Sequence, residues 1–294
     1  MRARSFLAIT LAIITSAIPL AADPEKATLL GEFVWTIEHE SFGGFSGLEL
    51  SKDGRTFTAI SDRGAFMTGQ FARANGAITG IENLTLTPIK DINGGALPED
   101  ITDPEGLAIR SDGRIFISFE GYHRVWTYRD TASEGAWLPR HADFMAMQNN
   151  SSLEALAISP DGTLFTLPER SGHKARPFPV YRYRHGTWTQ PFTIPRRGDF
   201  LPVGADIGPD DRFYLLERDF HGVFGFSTRI RRFTIGPRGF ANEQELLVTE
   251  VGQHDNLEGI SVWRDEAGLV MTLLSDDNFH WAQHTEFVEY RAAE

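Results

Sequence analysis

The chain has 294 residues, of which 28 are basic and 40 acidic, so its formal net charge is −12. It lacks the concentrated basic surface that nucleic acids require, so we expect no nucleic-acid partner. The absence of cysteine excludes disulfides, thiolate metal sites and cysteine nucleophiles.

The N-terminal segment has the layout of a secretory signal peptide. Two arginines precede an apolar run from Phe6 to Leu20, and small residues then lead to the polar Asp23. This run of 15 residues is shorter than the roughly 20 needed to cross a bilayer, which argues against the alternative of an uncleaved membrane anchor. We expect residues 1–22 to be removed on export, leaving a single domain over residues 23–294 without a membrane span, in the periplasm or secreted.

One hairpin-like module recurs along the rest of the chain. Its copies begin FSGLELSKDG, PEGLAIRSDG, LEALAISPDG, VGADIGPDD and LEGISVWRDE, each an alternating segment followed by a turn rich in Asp and Gly. Equivalent positions are separated by 59, 49, 49 and 55 residues, and repeats of this length with strand signals are typical of β-propeller blades. The equivalent positions are Ser46, Glu105, Glu154, Val203 and Glu258.

Further strand-like runs follow each hairpin and give four strands per module. The last copy has room for three, and the early segment EFVWTIEH, residues 32–39, belongs to no module. We therefore predict an all-β fold, a β-propeller of five four-stranded blades whose ring is closed by this N-terminal strand. Six blades are the alternative if the loop DINGGALPEDITD conceals a degenerate one, and a β-sandwich is the alternative architecture.

Small residues occupy one matching place in every module, which suits innermost strands that crowd together at the axis of a propeller. These residues are Gly47, Gly106, Ala155, Gly204 and Gly259.

Carboxylates recur at the strand ends of the modules. A hairpin returns the chain to its starting end, so Glu154 should lie beside Glu169, and Glu105 beside Glu120. Because the first strands of all blades line the axis, these ends should meet at one mouth, where like charges raise each other's pKa. A divalent cation would relieve the conflict, and ligands that are all oxygen favour calcium. The expected ligands are Asp62, Glu105, Glu120, Glu154, Glu169, Glu217, Glu258, Asp276 and Asp277.

Basic residues follow the acids at the strand ends. We expect them to form a cationic collar around the mouth, which would suit a small anionic, phosphorylated substrate. The alternative is that they pair with the acids as local salt bridges. The collar residues are Arg63, His123, Arg124, Arg170, His173, Lys174, Arg218, His221 and His280.

These motifs resemble those of the phytase-like family, often described as esterase-like activity of phytase. The modules quoted above, with AISDRG, LPER, LLERDF and LLSDDNF at their ends, follow the family order from Gly43 to Phe279. The resemblance implies a secreted β-propeller in which these same acids, with calcium, carry phosphoesterase-type chemistry. Two strand starts depart from the pattern, Ser46 and Val203, although Asp206 lies near the second.

The leading interpretation is therefore a calcium-dependent phosphoester hydrolase. Glu120 or Glu169 would act as general base, and Arg170 or Arg218 would stabilise developing charge. Two alternatives stay open, a lactonase or esterase of the gluconolactonase type and a non-catalytic binding propeller stabilised by its metal. Nothing in the sequence specifies a protein partner, and a monomer is the favoured state.

Overall fold

The computed structural model describes residues 27–98, 102–148 and 152–293. The expected signal peptide, residues 1–22, lies outside these ranges. Along the described stretches, none of the helices has the length and apolar character needed to span a membrane.

In the described residues, twenty strands form five antiparallel sheets of four, which are the five predicted blades. Blade 1 contains β2 (Phe45–Leu50), β3 (Thr56–Ser61), β4 (Ala65–Ala74) and β5 (Ala77–Pro88). Blade 2 contains β6 (Pro104–Ile109), β7 (Ile115–Phe119), β8 (Arg124–Tyr128) and β9 (Ala136–Trp137). Blade 3 contains β10 (Leu153–Ile158), β11 (Leu164–Pro168), β12 (Phe178–Arg184) and β13 (Thr187–Ile194). Blade 4 contains β14 (Leu201–Ile207), β15 (Arg212–Phe220), β16 (Phe226–Gly236) and β17 (Gly239–Val248). Blade 5 contains β18 (Asn256–Asp265), β19 (Gly268–Asp276), β20 (Glu286–Arg291) and β1 (Thr28–Val34). Two short 3₁₀ helices span Ala142–Ala146 and Gly222–Phe224. The all-β prediction is confirmed, and the six-bladed and sandwich alternatives are excluded.

The N-terminal strand closes the ring, as predicted. β1 pairs antiparallel with β20 and becomes the outermost strand of blade 5. The strand lies earlier than residues 32–39, because the chain leaves the sheet at Trp35, whose side chain is buried. The indole stacks on Phe45 of blade 1 and Phe287 of blade 5, with ring centroids 5.2 and 5.5 Å away. The closing segment therefore joins the first and last blades through side chains as well as through the sheet.

The hydrophobic core is divided into five clusters, one at each interface between neighbouring blades. Between blades 4 and 5, for example, Val203 and Tyr214 belong to the same cluster as Leu257 and Met271. Apolar burial, which contributes about 25 cal/mol per Å², holds the ring together at these interfaces. The ends of the innermost strands are therefore free to carry polar side chains.

The innermost strands approach closely at the axis, as their recurring small residues predict. A Cβ added at Gly106 would lie 2.6 Å from the carbonyl oxygen of Glu154, and one at Gly204 would collide with the carbonyl oxygen of Glu258. The cavity left between these strands has a volume of about 10 Å³, barely enough for one water. The axis is therefore not an open channel, and its two ends are separate sites.

Candidate functional site

A β-bulge recurs at the start of every innermost strand. In each blade the pairing with the second strand is interrupted at the same place, which is occupied by Glu105, Glu154 and Glu258 in blades 2, 3 and 5. Ser46 and Val203 occupy it in blades 1 and 4. A bulged residue is left out of the ladder and its side chain is re-aimed. The bulge thus turns the three glutamates towards one end of the axis.

A second position, at the end of each second strand, faces this bulge. In each blade, the last pair before the bulge joins one residue of the first strand to one of the second strand, and this position is the next residue of the second strand. In blade 4 that last pair is Pro202 with Glu217. Arg218 therefore holds this position in blade 4, whereas the sequence pattern predicted Glu217, one residue earlier. The residues at this position, in blade order, are Asp62, Glu120, Glu169, Arg218 and Asp276.

Glu217 is not brought to the mouth, which corrects its assignment as a metal ligand. Successive side chains of a strand point to opposite faces, so a shift of one residue turns Glu217 away. It is fully buried, and its oxygens accept hydrogen bonds from Arg229 Nε at 2.8 Å and from Arg231 Nε and Nη2 at 2.7 and 2.6 Å. Glu217 is a structural ion-pair residue.

Seven of the nine predicted acids do meet at one end of the axis, and an eighth acid, Asp103, joins them. Asp103 precedes β6 with a left-handed backbone, φ 39°. Sequence reasoning missed it because it lies in a loop, although its place two residues before Glu105 was the available signal. We call the set the acidic rim: Asp62, Asp103, Glu105, Glu120, Glu154, Glu169, Glu258 and Asp276.

Two overlapping groups in the rim are close enough to hold a cation. Asp62, Asp103 and Glu105 form one group, and Glu105, Glu120 and Glu154 form the other. Within each group, one ligand oxygen from every residue lies within 4.8 Å of the others. Donors that are all carboxylate oxygen fit a hard cation such as calcium. Except for Glu169, every metal ligand predicted in blades 1 to 3 therefore belongs to a group that could hold calcium.

Burial and mutual repulsion raise the pKa of the rim acids. Burial is the largest cause for Asp62, where a hydrogen bond from Ser46 opposes it and nearby carboxylates add to it, and the pKa rises to about 8. Burial, with the charges of Glu258 and Asp62, raises the pKa of Asp276 to about 9. Burial also raises the pKa of Glu120, to about 7, against a hydrogen bond from the Ser152 backbone. A bound cation would favour the ionised carboxylates and offset the repulsion between them.

Arg218 enters the rim from blade 4. Its Nη1 donates to Asn256 Oδ1 at 2.7 Å and contacts Glu258 Oε1, and its Nη2 lies 3.4 Å from Glu169 Oε1. Burial would lower the pKa of Arg218, but Glu258 and Glu169 outweigh it and hold the pKa above its usual range. The guanidinium is thus a permanent cation that is already engaged by protein groups, with 23% of the side chain exposed.

Asp277 lies beside the rim but serves the surrounding loops. Its oxygens accept hydrogen bonds from the backbone N–H groups of Gly44 and Phe279 and from Thr285 Oγ1, each at 3.0 Å. Its charge contributes to the raised pKa of Asp62. The structure places Asp277 near the expected site without making it a member of either cation-sized group.

Asp206, which the sequence placed near Val203, lies at the opposite end of its strand. Its oxygens accept hydrogen bonds from the backbone N–H groups of Ile207 and Val262, each at 2.6 Å. Burial, together with the charge of Asp206, raises the pKa of Glu49, which belongs to the innermost strand of blade 1. These two acids therefore mark the other end of the closed axis.

A cleft of about 930 Å³ adjoins the rim between the loops of blades 3 and 4, and it contains Glu169. The side chains of Arg170 and Lys174 are 56% and 86% exposed, so an anion could reach both. Both also form the local salt bridges that were the alternative prediction, with Glu169 and Asp199 at 3.2 Å each. The basic residues of its lining are Arg170, His173, Lys174, Arg196, Arg218 and His221.

The rest of the predicted collar does not line this cleft. His123 and Arg124 are buried, and Arg63 stacks over the Phe279 ring at 3.8 Å. His280 lies in an exposed turn, where its Nδ1 accepts a hydrogen bond from the backbone of Ala282. Five of the nine predicted collar residues thus line the cleft, and Arg196 is an addition that sequence reasoning missed.

Comparisons with known proteins agree with this architecture. A family model described as "Phytase-like: Esterase-like activity of phytase" matches residues 40–279. A search of curated protein sequences gave no match.

Solved structures of low identity resemble this one to different degrees. The catalytic domain of an α-L-arabinofuranosidase from Coprinopsis cinerea is 9% identical over 90% of this chain and 97% of that one, with a TM-score of 0.56. An α-L-arabinofuranosidase from Podospora anserina, in complex with cellotriose, is 11% identical over 92% and 98%, with a TM-score of 0.55. A gluconolactonase from Xanthomonas campestris is 13% identical over 84% and 72%, with a TM-score of 0.44. The first two likenesses concern the fold alone, and the third is too distant to carry an argument.

Proposed function

The chain belongs to the phytase-like family, named for an esterase-like activity of phytase, and from this premise we propose that it is a calcium-dependent hydrolase of phosphate esters. One observation carries the proposal: a rim of buried carboxylates suited to a hard cation directly adjoins a cleft lined by basic side chains. The rim and the cleft share Glu169 and Arg218, so a substrate phosphate in the cleft would lie at the edge of the acidic rim.

We assign Asp62, Asp103 and Glu105 as the calcium ligands. Asp103 is only partly buried, so this group is open to solvent and an ion could enter from the mouth. When bound, calcium would supply positive charge that attracts a phosphate oxygen and acidifies water. The choice leaves Glu120 and Glu154 outside the proposed set of calcium ligands.

Glu120 is the proposed general base. Burial raises the pKa of Glu120 to about 7, and a bound calcium would favour its ionised form, which is the form that can take a proton from attacking water. The backbone N–H of Ser152 holds Oε1 at 2.9 Å, which fixes the orientation of the carboxylate. The proton that Glu120 accepts is then available to the leaving alcohol. Glu169 is less suited, because Arg170 and Arg218 engage its oxygens at 3.2 and 3.4 Å.

Arg170 is the proposed phosphate-binding residue. Of the two predicted arginines, Arg218 is committed to the rim, whereas more than half of the Arg170 side chain is exposed in the cleft. A guanidinium presents parallel N–H donors that match two phosphate oxygens. Arg170 would therefore orient the ester and stabilise the charge that develops on it.

The proposal is tested by assaying the purified protein on phosphomonoesters, phosphodiesters and lactones, with calcium and with a chelator. We expect phosphate ester hydrolysis that requires calcium and is lost on chelation. Acid release from lactones without phosphate ester hydrolysis would support the lactonase reading instead. Thermal stabilisation by calcium without turnover of any ester would support the non-catalytic one.

We also propose that the protein acts outside the cytoplasm, on the basis of the sequence of residues 1–22. Mass spectrometry of the protein recovered from cell fractions tests this directly. We expect the mature chain to begin at Asp23 in the exported fraction, and an intact N-terminus would contradict the proposal.

A further inference from the structure

The hairpin of β15 and β16 extends past the rim on the mouth side of blade 4. In blades 1, 2 and 3 the second strand ends one residue before the strand-end position of the rim, and in blade 5 it ends at that position. In blade 4 the pairing continues for two residues past Arg218, through Asp219 with Ser227 and Phe220 with Phe226. Among the five described second strands, β15 is therefore the one that extends beyond the rim.

This hairpin places an exposed aromatic ring on the wall of the cleft. Phe220 is 64% exposed, and its ring centroid lies 5.0 Å from that of Phe226. Both residues line the cleft, together with Arg218. The guanidinium carbon of Arg218 lies 5.9 Å from the centre of the Phe226 ring. The two rings therefore continue the wall of the cleft from Arg218, which contacts the rim acids.

The hairpin is supported at its tip and by a neighbouring segment. His221 Nε2 lies 2.9 Å from Ser227 Oγ, so a hydrogen bond joins the two strands near the tip. The backbone N–H of Gly252, in the segment that leads to blade 5, donates to Phe226 O at 2.7 Å. A ligand that packs on Phe220 would therefore meet a supported wall and would not have to order a free loop.

The lining of the cleft suits a molecule with one anionic end and one neutral end. Its basic residues would bind a phosphate, but Glu169, Asp199 and Asp219 also line it and would disfavour a substrate that is charged all round. The cleft volume of about 930 Å³ falls within the range of about 300–1,000 Å³ that is typical of small-molecule sites, so it has room for more than a phosphate group. An exposed aromatic face binds flat rings by stacking.

We propose that Phe220 is a specificity-determining residue that stacks on a flat aromatic ring in the alcohol portion of the substrate, so that the preferred substrate is a nucleoside monophosphate. The phosphate would face Arg170 and the base would lie on Phe220, since both residues line the same cleft. The inference rests on the proposed function for the reaction, whereas the binding that it describes needs no turnover. Phosphate esters of aliphatic polyols have no flat ring and would gain nothing from Phe220.

The kinetic test compares kcat/KM for adenosine monophosphate and for glycerol phosphate in the presence of calcium. Phe220→Ala should lower kcat/KM for adenosine monophosphate by about tenfold, a loss typical of one stack between a base and an aromatic side chain, and leave the value for glycerol phosphate unchanged. Phe220→Tyr keeps the ring and should keep the preference. Phe224→Ala is the matched control, because Phe224 is 75% exposed on the same hairpin but is not among the residues that line the cleft. Equal losses on both substrates, or no loss on adenosine monophosphate, would overturn the proposal.

A binding measurement separates this proposal from the proposed function. The phosphonate analogue of adenosine monophosphate has carbon in place of the ester oxygen and cannot be hydrolysed, and methylphosphonate lacks the ring. In titration calorimetry the full chain should bind the adenosine analogue more tightly than methylphosphonate. Phe220→Ala should remove most of this difference while keeping the natural Tm, because the side chain is largely exposed.

The outcomes of the two measurements differ for the two proposals. A natural protein that hydrolyses no phosphate ester contradicts the proposed function, whereas binding of the adenosine analogue that depends on Phe220 would still support the role of this ring. Equal affinity of the natural protein for the adenosine analogue and methylphosphonate would overturn the inference, even if phosphate esters are hydrolysed.

Discussion

Glu105 and Glu154 occupy equivalent positions in the bulges of neighbouring blades, and a carboxylate oxygen of one lies within 4.8 Å of a carboxylate oxygen of the other. They are 49 positions apart in the chain, so the repeat itself brings the two carboxylates together. Glu105 also belongs to both groups able to hold a cation. It is therefore the acid on which calcium binding should depend most.

Glu105→Gln should weaken calcium binding by at least about tenfold, because calcium affinity follows the charge of its ligands. Phosphate ester hydrolysis should fall with it. Glu134→Gln is a matched control, since Glu134 is an exposed acid of the same blade. Titration calorimetry on both variants checks the prediction, and unchanged calcium affinity in Glu105→Gln would remove the assigned site.

Glu217→Gln should destabilise the protein without changing the number of bound calcium ions. The substitution leaves Arg229 and Arg231 buried with a neutral partner, and breaking a buried ion pair costs about 3–5 kcal/mol. Because Glu243 also contacts Arg231 at 2.8 Å, we expect the loss in free energy of unfolding to lie towards the lower end of this range. Urea unfolding and calcium titration measure the two effects. Loss of calcium with unchanged stability would show that Glu217 is a ligand after all.

The contrast between Glu217 and Arg218 shows how a sequence pattern can mislead. The period near 50 residues and the alternation within each module determine the five blades, and the hairpin geometry determines that Glu154 lies beside Glu169. Glu154 and Glu169 are 15 positions apart, as are Glu105 and Glu120, and the same spacing from Val203 leads to Arg218. Matching the fourth module by its acid instead selects Glu217, one position early, and so replaces a cation by an anion at the rim.

Other features depend on packing between distant segments. Asp103 joins the rim through a loop conformation with positive φ, which no strand pattern predicts. The closure of the axis depends on how five strands fit around a common line. The cleft combines loops of two blades, so Arg196 became a lining residue although it precedes the fourth module.

The stability of the protein should contain a pH-dependent contribution from Asp206, at the other end of the axis. Burial raises the pKa of Asp206 to about 6. Hydrogen bonds from the backbone N–H groups of Val262 and Ile207 lower this pKa, and the charge of Asp210 raises it further. The folded pKa exceeds the unfolded value of about 4, so this contribution is present below pH 4 and is lost as the pH rises through 6. A shift of about two units corresponds to at most about 3 kcal/mol.

Asp206→Asn cannot ionise and should lack this contribution. We expect the free energy of unfolding in chelator to fall less steeply for the variant than for the natural protein between about pH 4 and pH 6. The rim acids are present in both proteins, so the difference between the two curves reports Asp206 together with its effect on Glu49, whose pKa the charge of Asp206 helps to raise. Parallel curves would contradict the assignment.

Gly106→Ala should destabilise the ring, because the new Cβ would meet the Glu154 carbonyl oxygen and Leu156 Cβ at 2.6 Å each. Overpacking of this kind costs about 1–3 kcal/mol. Gly80→Ala is the matched control, since its Cβ would meet Ala72 at an ordinary 3.7 Å on an outer strand. Thermal unfolding compares the two variants. Equal Tm values would show that the innermost strands leave room for a Cβ at position 106.

The pairing of β1 with β20 sets the order in which the molecule can be completed. Blades 1 to 4 each consist of consecutive strands and can form as the chain lengthens, whereas blade 5 combines the two extremes of the sequence. Until β20 has been synthesised, β1 has no neighbour and the outer edge of β19 stays exposed, a surface prone to pair with other chains. Closure of the ring therefore waits for β20, and loss of β20 would leave the edges of β1 and β19 unpaired and prone to association with other chains.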